Sequence, residues 1–130
     1  MLGENHETKL VPLRILVVDD NVDLAVTTAA LLRHLGHDVL VEHTPQAALE
    51  CADTKVFDFC LLDIGLPQMD GYELAAQLRA KPNTCNAVYA AHTGYGSEAY
   101  LKKSASEGFS YHLVKPIAIQ RLFEIFALKH

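Results

Sequence analysis

Short apolar runs alternate along this chain with segments in which apolar residues recur every three or four positions. A short, continuous apolar run between turn residues is typical of a buried strand, whereas the three- and four-residue spacing is typical of an amphipathic helix. The runs predict strands at residues 14–18, 38–42, 58–62, 87–91 and 111–114, and the segments between and after them predict five helices.

Polar residues and glycine mark the predicted helix ends. We expect Asn21, Thr44 and Asp70 to cap the N-termini of the first three helices, because their side chains can accept hydrogen bonds from unpaired backbone N–H groups. Pro45 fits the first position of the second helix. Gly36 fits the position just beyond the end of the first.

Five strands that alternate with five helices predict an α/β fold in which a parallel sheet is wound with helices on both faces, a (βα)5 chain. Because such crossovers are right-handed, the C-terminal ends of all the strands lie at one edge of the sheet, where ligands of these folds bind. A chain of 130 residues is long enough for one domain. We expect this domain to span residues 13–130 and the polar residues 1–12 to be a leader or linker.

Charged and hydroxyl side chains stand where the predicted strands end. They are Asp19, Asp20, Asp63, Thr93 and Lys115. Carboxylates about 4 Å apart repel by roughly 4 kcal/mol at an effective dielectric constant near 20, which is large beside a total stability of about 5–15 kcal/mol. Lys115 offsets only part of this charge. A divalent cation with oxygen ligands is the simplest remedy, and Mg²⁺ suits such a site.

A magnesium ion beside a carboxylate, a hydroxyl and an ammonium group suits phosphoryl transfer. Asp63 stands alone on the middle strand and is the predicted nucleophile, whereas Asp19 and Asp20 are predicted metal ligands. The Thr93 hydroxyl and the Lys115 ammonium group would contact the phosphoryl oxygens. By spacing alone, Thr93 is equally well interpreted as a turn residue.

Four motifs of this chain together resemble the receiver domain of two-component response regulators, over residues 13–128. Each motif is weak alone, but the four in this order and at these spacings are specific. They are Ile15-Leu16-Val17-Val18-Asp19-Asp20-Asn21, Leu61-Leu62-Asp63 with Leu66-Pro67-Gln68-Met69-Asp70-Gly71, Thr93-Gly94, and Leu113-Val114-Lys115-Pro116.

The resemblance implies a flavodoxin-like three-layer sandwich with strand order 2-1-3-4-5. It implies that Asp63 accepts a phosphoryl group from a phosphohistidine on a sensor histidine kinase or a histidine phosphotransfer protein. Asp20, Asp63 and the backbone carbonyl of Gly65 would bind Mg²⁺ directly, and Asp19 would act through water. The protein would be a phosphoacceptor switch with slow autodephosphorylation rather than an enzyme.

The resemblance also assigns roles at the fourth and fifth strands. Thr93 and Lys115 would contact the phosphoryl oxygens, and the Lys115–Pro116 peptide bond is expected to be cis. Activation in the family couples the threonine to an aromatic residue three positions before the lysine, which here is His112. Either this switch is altered or pH-sensitive, or His112 is only a partly exposed strand residue. This part of the chain looks most like receivers attached to hybrid histidine kinases.

Composition and charge argue against several other classes of function. The net charge of −5 and the lack of a basic cluster argue against direct nucleic-acid binding. No apolar run approaches the roughly 20 residues that span a bilayer. Three widely spaced cysteines, an odd number, favour a reducing and therefore cytoplasmic compartment. A homodimer is possible.

Two alternative functions stay open. The first is a Mg²⁺-dependent phosphohydrolase that forms an aspartyl-phosphate; such enzymes usually carry an acid two residues after the nucleophile, where this chain has Gly65, and they also carry a cap domain. The second is a degenerate receiver that acts only as a binding module, against which the complete set of motif residues argues.

Overall fold

A computed structural model describes residues 12–94, 98–115 and 117–127 of the chain. Five strands alternate with five helices, as the apolar pattern predicts. The strands are β1 (Arg14–Val18), β2 (Asp38–Glu42), β3 (Phe59–Asp63), β4 (Val88–Thr93) and β5 (Tyr111–Val114). The helices are α1 (Val22–His34), α2 (Pro45–Cys51), α3 (Gly71–Arg79), α4 (Glu98–Ser106) and α5 (Ile119–Ala127).

The strands form one parallel sheet in the order β2-β1-β3-β4-β5. The predicted fold class, a doubly wound flavodoxin-like α/β sandwich, is therefore confirmed. β3 lies in the middle of the sheet and is buried at all five positions. All the strand C-termini lie at the same edge, and this edge gathers the polar residues that follow the strands.

Two apolar cores, one on each face of the sheet, hold the helices in place. Successive strand residues point to opposite faces, so neighbouring residues of β3 belong to different cores. Leu62 packs with Leu74 and Leu78 of α3, and Leu61 packs with Leu32 of α1 and Phe126 of α5. Within the described residues, no helix combines the length and the apolar character needed to cross a membrane.

The helix ends confirm the predicted caps. The side chains of Asn21, Thr44 and Asp70 each accept a hydrogen bond from the backbone N–H three residues further on, at 2.9–3.1 Å. Gly36 follows α1 with φ +99°, a left-handed conformation that glycine adopts without strain.

Two strands near the binding edge extend further than predicted. β4 continues through His92 and Thr93, because these residues pair with Leu113 and Val114 of β5. β3 includes Asp63, which pairs with His92. Regular sheet pairing therefore carries Asp63 and Thr93 to their places at the edge, whereas Asp19, Asp20 and Lys115 follow their strands.

Candidate functional site

Lys115 bridges two buried carboxylates at the C-terminal edge of the sheet. Its Nζ lies 2.9 Å from Oδ2 of Asp19, just after β1, and 3.2 Å from Oδ2 of Asp63, at the end of β3. β1 and β3 are neighbours in the sheet. The parallel topology thus brings together two acids that are 44 residues apart in the sequence.

The other oxygen of each carboxylate is held by the backbone. Oδ1 of Asp19 accepts a hydrogen bond from the N–H of Asn21 at 2.9 Å, and Oδ1 of Asp63 accepts one from the N–H of Gly65 at 3.0 Å. In both cases the donor is two residues further along, where the chain turns away from the strand. Both carboxylates are therefore fixed in orientation, with one oxygen on the backbone and one on Lys115.

Asp20 adds a third carboxylate to this pair. One oxygen from each of Asp19, Asp20 and Asp63 lies within 4.8 Å of the other two. Asp19 and Asp63 are 1% and 6% exposed, whereas Asp20 faces solvent. At this separation each pair of charges repels by about 3 kcal/mol at an effective dielectric constant of 20. A cluster of carboxylate oxygens with one side open to water fits the ligand preference of Mg²⁺.

The electrostatics of this cluster shift two pKa values. Burial raises the pKa of Asp63 to about 6; the charge of Asp19 adds to this, while the Gly65 N–H and Lys115 oppose it. Burial alone would lower the pKa of Lys115, but its contacts with Asp19 and Asp63 raise the pKa above the ordinary lysine value. At pH 7 the site therefore holds a charged lysine between carboxylates that repel each other.

Thr93 ends β4 beside this cluster. It is buried, and it follows His92, the residue that pairs with Asp63 across the sheet. Its backbone carbonyl accepts a hydrogen bond of 2.8 Å from the N–H of Lys115, which fixes the lysine relative to β4. The structure thus places Thr93 on the strand next to Asp63, as predicted.

His112 lies on β5, three residues before Lys115, and is half-buried. Its Nδ1 is 2.7 Å from the hydroxyl oxygen of Ser104 on α4. The predicted cis peptide bond at Lys115–Pro116 lies outside the described residues, because Pro116 is not among them.

Gly71, which the sequence indicated only as the last residue of a receiver motif, is also part of the site. A Cβ at this position would lie 2.6 Å from the backbone oxygen of Asp63 and 2.9 Å from Cα of Ile64. The Gly71 N–H donates to the carbonyl of Ile64 at 3.0 Å. Glycine therefore allows the start of α3 to pack directly on the backbone of the predicted nucleophile.

Two histidines near the cluster were also not predicted as site residues. His92 is 2% exposed, and burial lowers its pKa to about 4, with Lys115 lowering it further and Asp19 opposing the shift. A ring nitrogen of His43, beyond β2, lies 3.0 Å from the backbone carbonyl of Asp19. His43 directly follows β2, and His92 directly follows the fourth strand as predicted at residues 87–91; these positions were the signal that could have identified both.

Comparison with known proteins identifies relatives of the whole fold. The family model described as the response regulator receiver domain matches residues 15–127. A response regulator receiver protein of Anaeromyxobacter sp. is 36% identical over 113 residues, which are 86% of this chain and 46% of the relative. The response regulator ArlR of Staphylococcus saprophyticus is 32% identical over 110 residues, 84% of this chain and 48% of that protein. The chain spans about half the length of these curated relatives.

A solved structure is similar in fold. It is the receiver domain of the sensor histidine kinase PA1611 from Pseudomonas aeruginosa PAO1, with a magnesium ion coordinated in its active site cleft. The TM-score is 0.77 at 28% sequence identity, and the match covers 88% of this chain and 94% of the other.

Proposed function

This chain belongs to the response regulator receiver domain family, and we propose that it is a phosphoacceptor switch that takes a phosphoryl group onto Asp63. The donor would be a phosphohistidine on a sensor histidine kinase or a histidine phosphotransfer protein. The observation that carries this proposal is the arrangement of Asp63 at the tip of the central strand, with Asp19, Asp20 and Lys115 around it.

The transfer step follows from the chemistry of these groups. A carboxylate oxygen of Asp63 attacks the phosphorus in line, the nitrogen–phosphorus bond of the donor breaks, and its electron pair stays on the imidazole nitrogen. The pKa of Asp63, about 6, leaves most of this carboxylate ionised at pH 7. Lys115, already in contact with Asp63, would pair with a phosphoryl oxygen, and the Thr93 hydroxyl would donate to another.

The acid cluster fits a magnesium ion. Asp19, Asp20, Asp63 and the backbone carbonyl of Gly65 would hold Mg²⁺, with Asp19 acting through water. When bound, the ion supplies positive charge that offsets both the carboxylates and the phosphoryl oxygens. The magnesium ion in the cleft of the Pseudomonas receiver supports this assignment.

The signal would leave the site through Thr93 and His112. Both side chains lie on the same face of the sheet, because His112 pairs with Ala91, two residues before Thr93. In our proposal His112 moves toward Thr93 when Asp63 is phosphorylated.

The protein acts in the cytoplasm as a switch rather than an enzyme, and its output lies in a partner or in another part of a longer protein. Attachment to a hybrid histidine kinase stays a prediction.

Phosphorylation by a small donor tests the proposal. We expect acetyl phosphate with Mg²⁺ to add the mass of one phosphoryl group to the wild-type chain, measured by intact-protein mass spectrometry. Asp63→Asn should add none, because the amide is not a nucleophile. Asp38→Asn, at the opposite edge of the sheet, is the matched control and should be labelled like the wild type.

Equal labelling of the wild type and Asp63→Asn would contradict the assignment. Failure of the wild type to be labelled and to bind Mg²⁺ would instead favour a degenerate receiver that only binds a partner. Fast turnover of a simple phosphate ester would favour the phosphohydrolase alternative.

A further inference from the structure

Three side chains from three elements form a buried hydrogen-bonded chain beside the site. The Ser104 hydroxyl oxygen on α4 lies 2.7 Å from Nδ1 of His112 on β5 and 3.0 Å from the hydroxyl oxygen of Tyr72 on α3. Ser104 is 1% exposed and Tyr72 is 5% exposed. We call Tyr72, Ser104 and His112 the hydroxyl chain.

The chain satisfies polar groups that would be costly to bury unpaired. A serine hydroxyl has one hydrogen to donate and lone pairs that accept, so Ser104 can bond to both neighbours at once. Removing its oxygen takes a partner from the Tyr72 hydroxyl and from Nδ1 of His112 together. A buried polar group that loses its partner costs more than the bond itself was worth. Ser104 therefore favours the conformation in which both neighbours point toward it.

Both ends of the hydroxyl chain connect to the phosphoacceptor site. Tyr72 directly follows Gly71, which packs on the backbone of Asp63. His112 is three residues before Lys115, which contacts Asp63 directly. Ser104 thus links the start of α3, next to the site, with β5 on the far side of β4.

The His112 ring can also point in a second direction, toward Thr93. It pairs with Ala91, whose small side chain lies on the same face of the sheet as the side chains of His112 and Thr93. The ring is only half-buried, while Ser104 holds one of its nitrogens.

We propose that Ser104, supported by Tyr72, is a positioning residue that holds His112 in the resting state and so sets how readily the switch changes state. This inference rests on the proposed function, since it assumes that phosphorylation favours the conformation in which His112 has left Ser104. A ligand that prefers one of two states binds more tightly when the other state is weakened. Loss of the Ser104 hydroxyl therefore favours the phosphorylated state.

Binding of a phosphoryl analogue tests this proposal. The probe is beryllium fluoride in the presence of saturating Mg²⁺, titrated by calorimetry. We expect Ser104→Ala to bind it about fivefold more tightly than the wild type, the effect of losing about one hydrogen bond from the resting state. Tyr72→Phe should tighten binding less, because Ser104 keeps its bond to His112.

The matched control is Ser106→Ala, on the same helix. Ser106 is exposed, and its hydroxyl donates within α4 to the carbonyl of Lys103 at 2.9 Å. It should bind beryllium fluoride like the wild type. The ¹⁵N shift of the His112 Nδ1 should change in Ser104→Ala and stay unchanged in Ser106→Ala.

The possible results separate the two proposals. Failure of the wild type to bind beryllium fluoride overturns the proposed function. Binding by the wild type together with equal or weaker binding by Ser104→Ala overturns only the role of Ser104. A purely structural serine would lower the stability of the protein without tightening the binding of the analogue.

Discussion

The two edges of the sheet use aspartate in opposite ways. At the N-terminal edge, Asp58 pairs with Arg14: its two carboxylate oxygens accept hydrogen bonds of 2.8–3.2 Å from the backbone and guanidinium of that residue. Burial would raise the pKa of Asp58, but the contacts with Arg14 outweigh it and lower the pKa below its usual value. At the C-terminal edge, burial and a neighbouring charge raise the pKa of Asp63 to about 6.

The difference lies in how many negative charges share one positive charge. Arg14 neutralises one partly exposed carboxylate, whereas Lys115 contacts two buried ones, with Asp20 close to both. The first arrangement is satisfied within the chain, as expected of a structural ion pair. The second holds an excess of negative charge where solvent can reach it, as expected of a site that receives a cation. The C-terminal edge is therefore distinguished by an excess of carboxylates over cations, rather than by the number of carboxylates.

The largest effect is expected from Gly71→Ala. The new Cβ would lie 2.6 Å from the backbone oxygen of Asp63, so the start of α3 must shift. We expect the free energy of unfolding to fall by about 3 kcal/mol, measured by urea denaturation, and phosphorylation of Asp63 to slow. The control Gly94→Ala has open space around the new Cβ. Equal stability of the two variants would contradict close packing of α3 on Asp63.

A stabilising effect is expected from Asp63→Asn in the absence of metal. Asp63 binds its proton more tightly in the fold than in the unfolded chain, so its contribution to stability falls as the pH rises from about 3.8 to about 6. Above pH 6 the ionised carboxylate destabilises the fold, and the uncharged amide removes this penalty. We expect the free energy of unfolding at pH 7 to rise by about 2 kcal/mol.

Asp58→Asn is expected to have the opposite effect at the N-terminal edge of the sheet. This change removes a favourable ion pair, so it should lower the free energy of unfolding, by less than about 1 kcal/mol because the pair is exposed to solvent. Denaturation of both variants in one buffer at pH 7 compares the edges directly. If both variants changed the free energy of unfolding in the same direction, the distinction between a structural ion pair at one edge and an excess of negative charge at the other would be contradicted.

His92 should make the stability depend on pH. It is neutral in the fold, with a pKa of about 4, but in the unfolded chain it becomes protonated near the ordinary histidine pKa of 6.5. The unfolded state therefore binds more protons between these values, and stability falls as the pH drops from about 6.5 toward 4. Titration of Asp63 changes the stability in the opposite direction over part of this pH range. The contribution of His92 is therefore measured by comparing the wild type with a His92 variant.

His92→Leu should remove about 1–2 kcal/mol of the stability loss between pH 8 and pH 5. Urea denaturation at the two pH values measures this difference, and His34→Gln at the exposed end of α1 is the control. A pH dependence of His92→Leu that parallels the wild type would contradict a neutral, buried His92.

The pattern of apolar, polar and glycine residues within short stretches of the sequence was enough to predict most of the fold. The apolar runs, the caps at Asn21, Thr44 and Asp70 and the glycine after α1 depend on interactions within a few residues, which the sequence shows directly. The gathering of Asp19 and Asp63 at one edge followed from the parallel topology. The chemistry of the strand-end residues predicted Asp63 as the nucleophile, whereas the roles of Gly65 and His112 came only from the resemblance to receiver domains.

Contacts between distant side chains could not be predicted in this way. Tyr72 and Ser104 are 32 residues apart, and their bond depends on how α3 and α4 pack. The burial of His92 depends on its pairing with Asp63 and Leu113 on both sides. Position 71 needs glycine because a Cβ there would meet the backbone of Asp63. The spacing of apolar residues in the sequence gives no signal of this contact.

Thermal unfolding with and without Mg²⁺ tests whether the carboxylates of Asp19, Asp20 and Asp63 form a site for this ion. At constant ionic strength and a Mg²⁺ concentration ten times Kd, the wild type should gain about 1.4 kcal/mol, which raises Tm by about 4 °C. Asp20→Asn should show a smaller rise, while Asp38→Asn should match the wild type. No rise in the wild type, or an equal rise in Asp20→Asn, would contradict the claim.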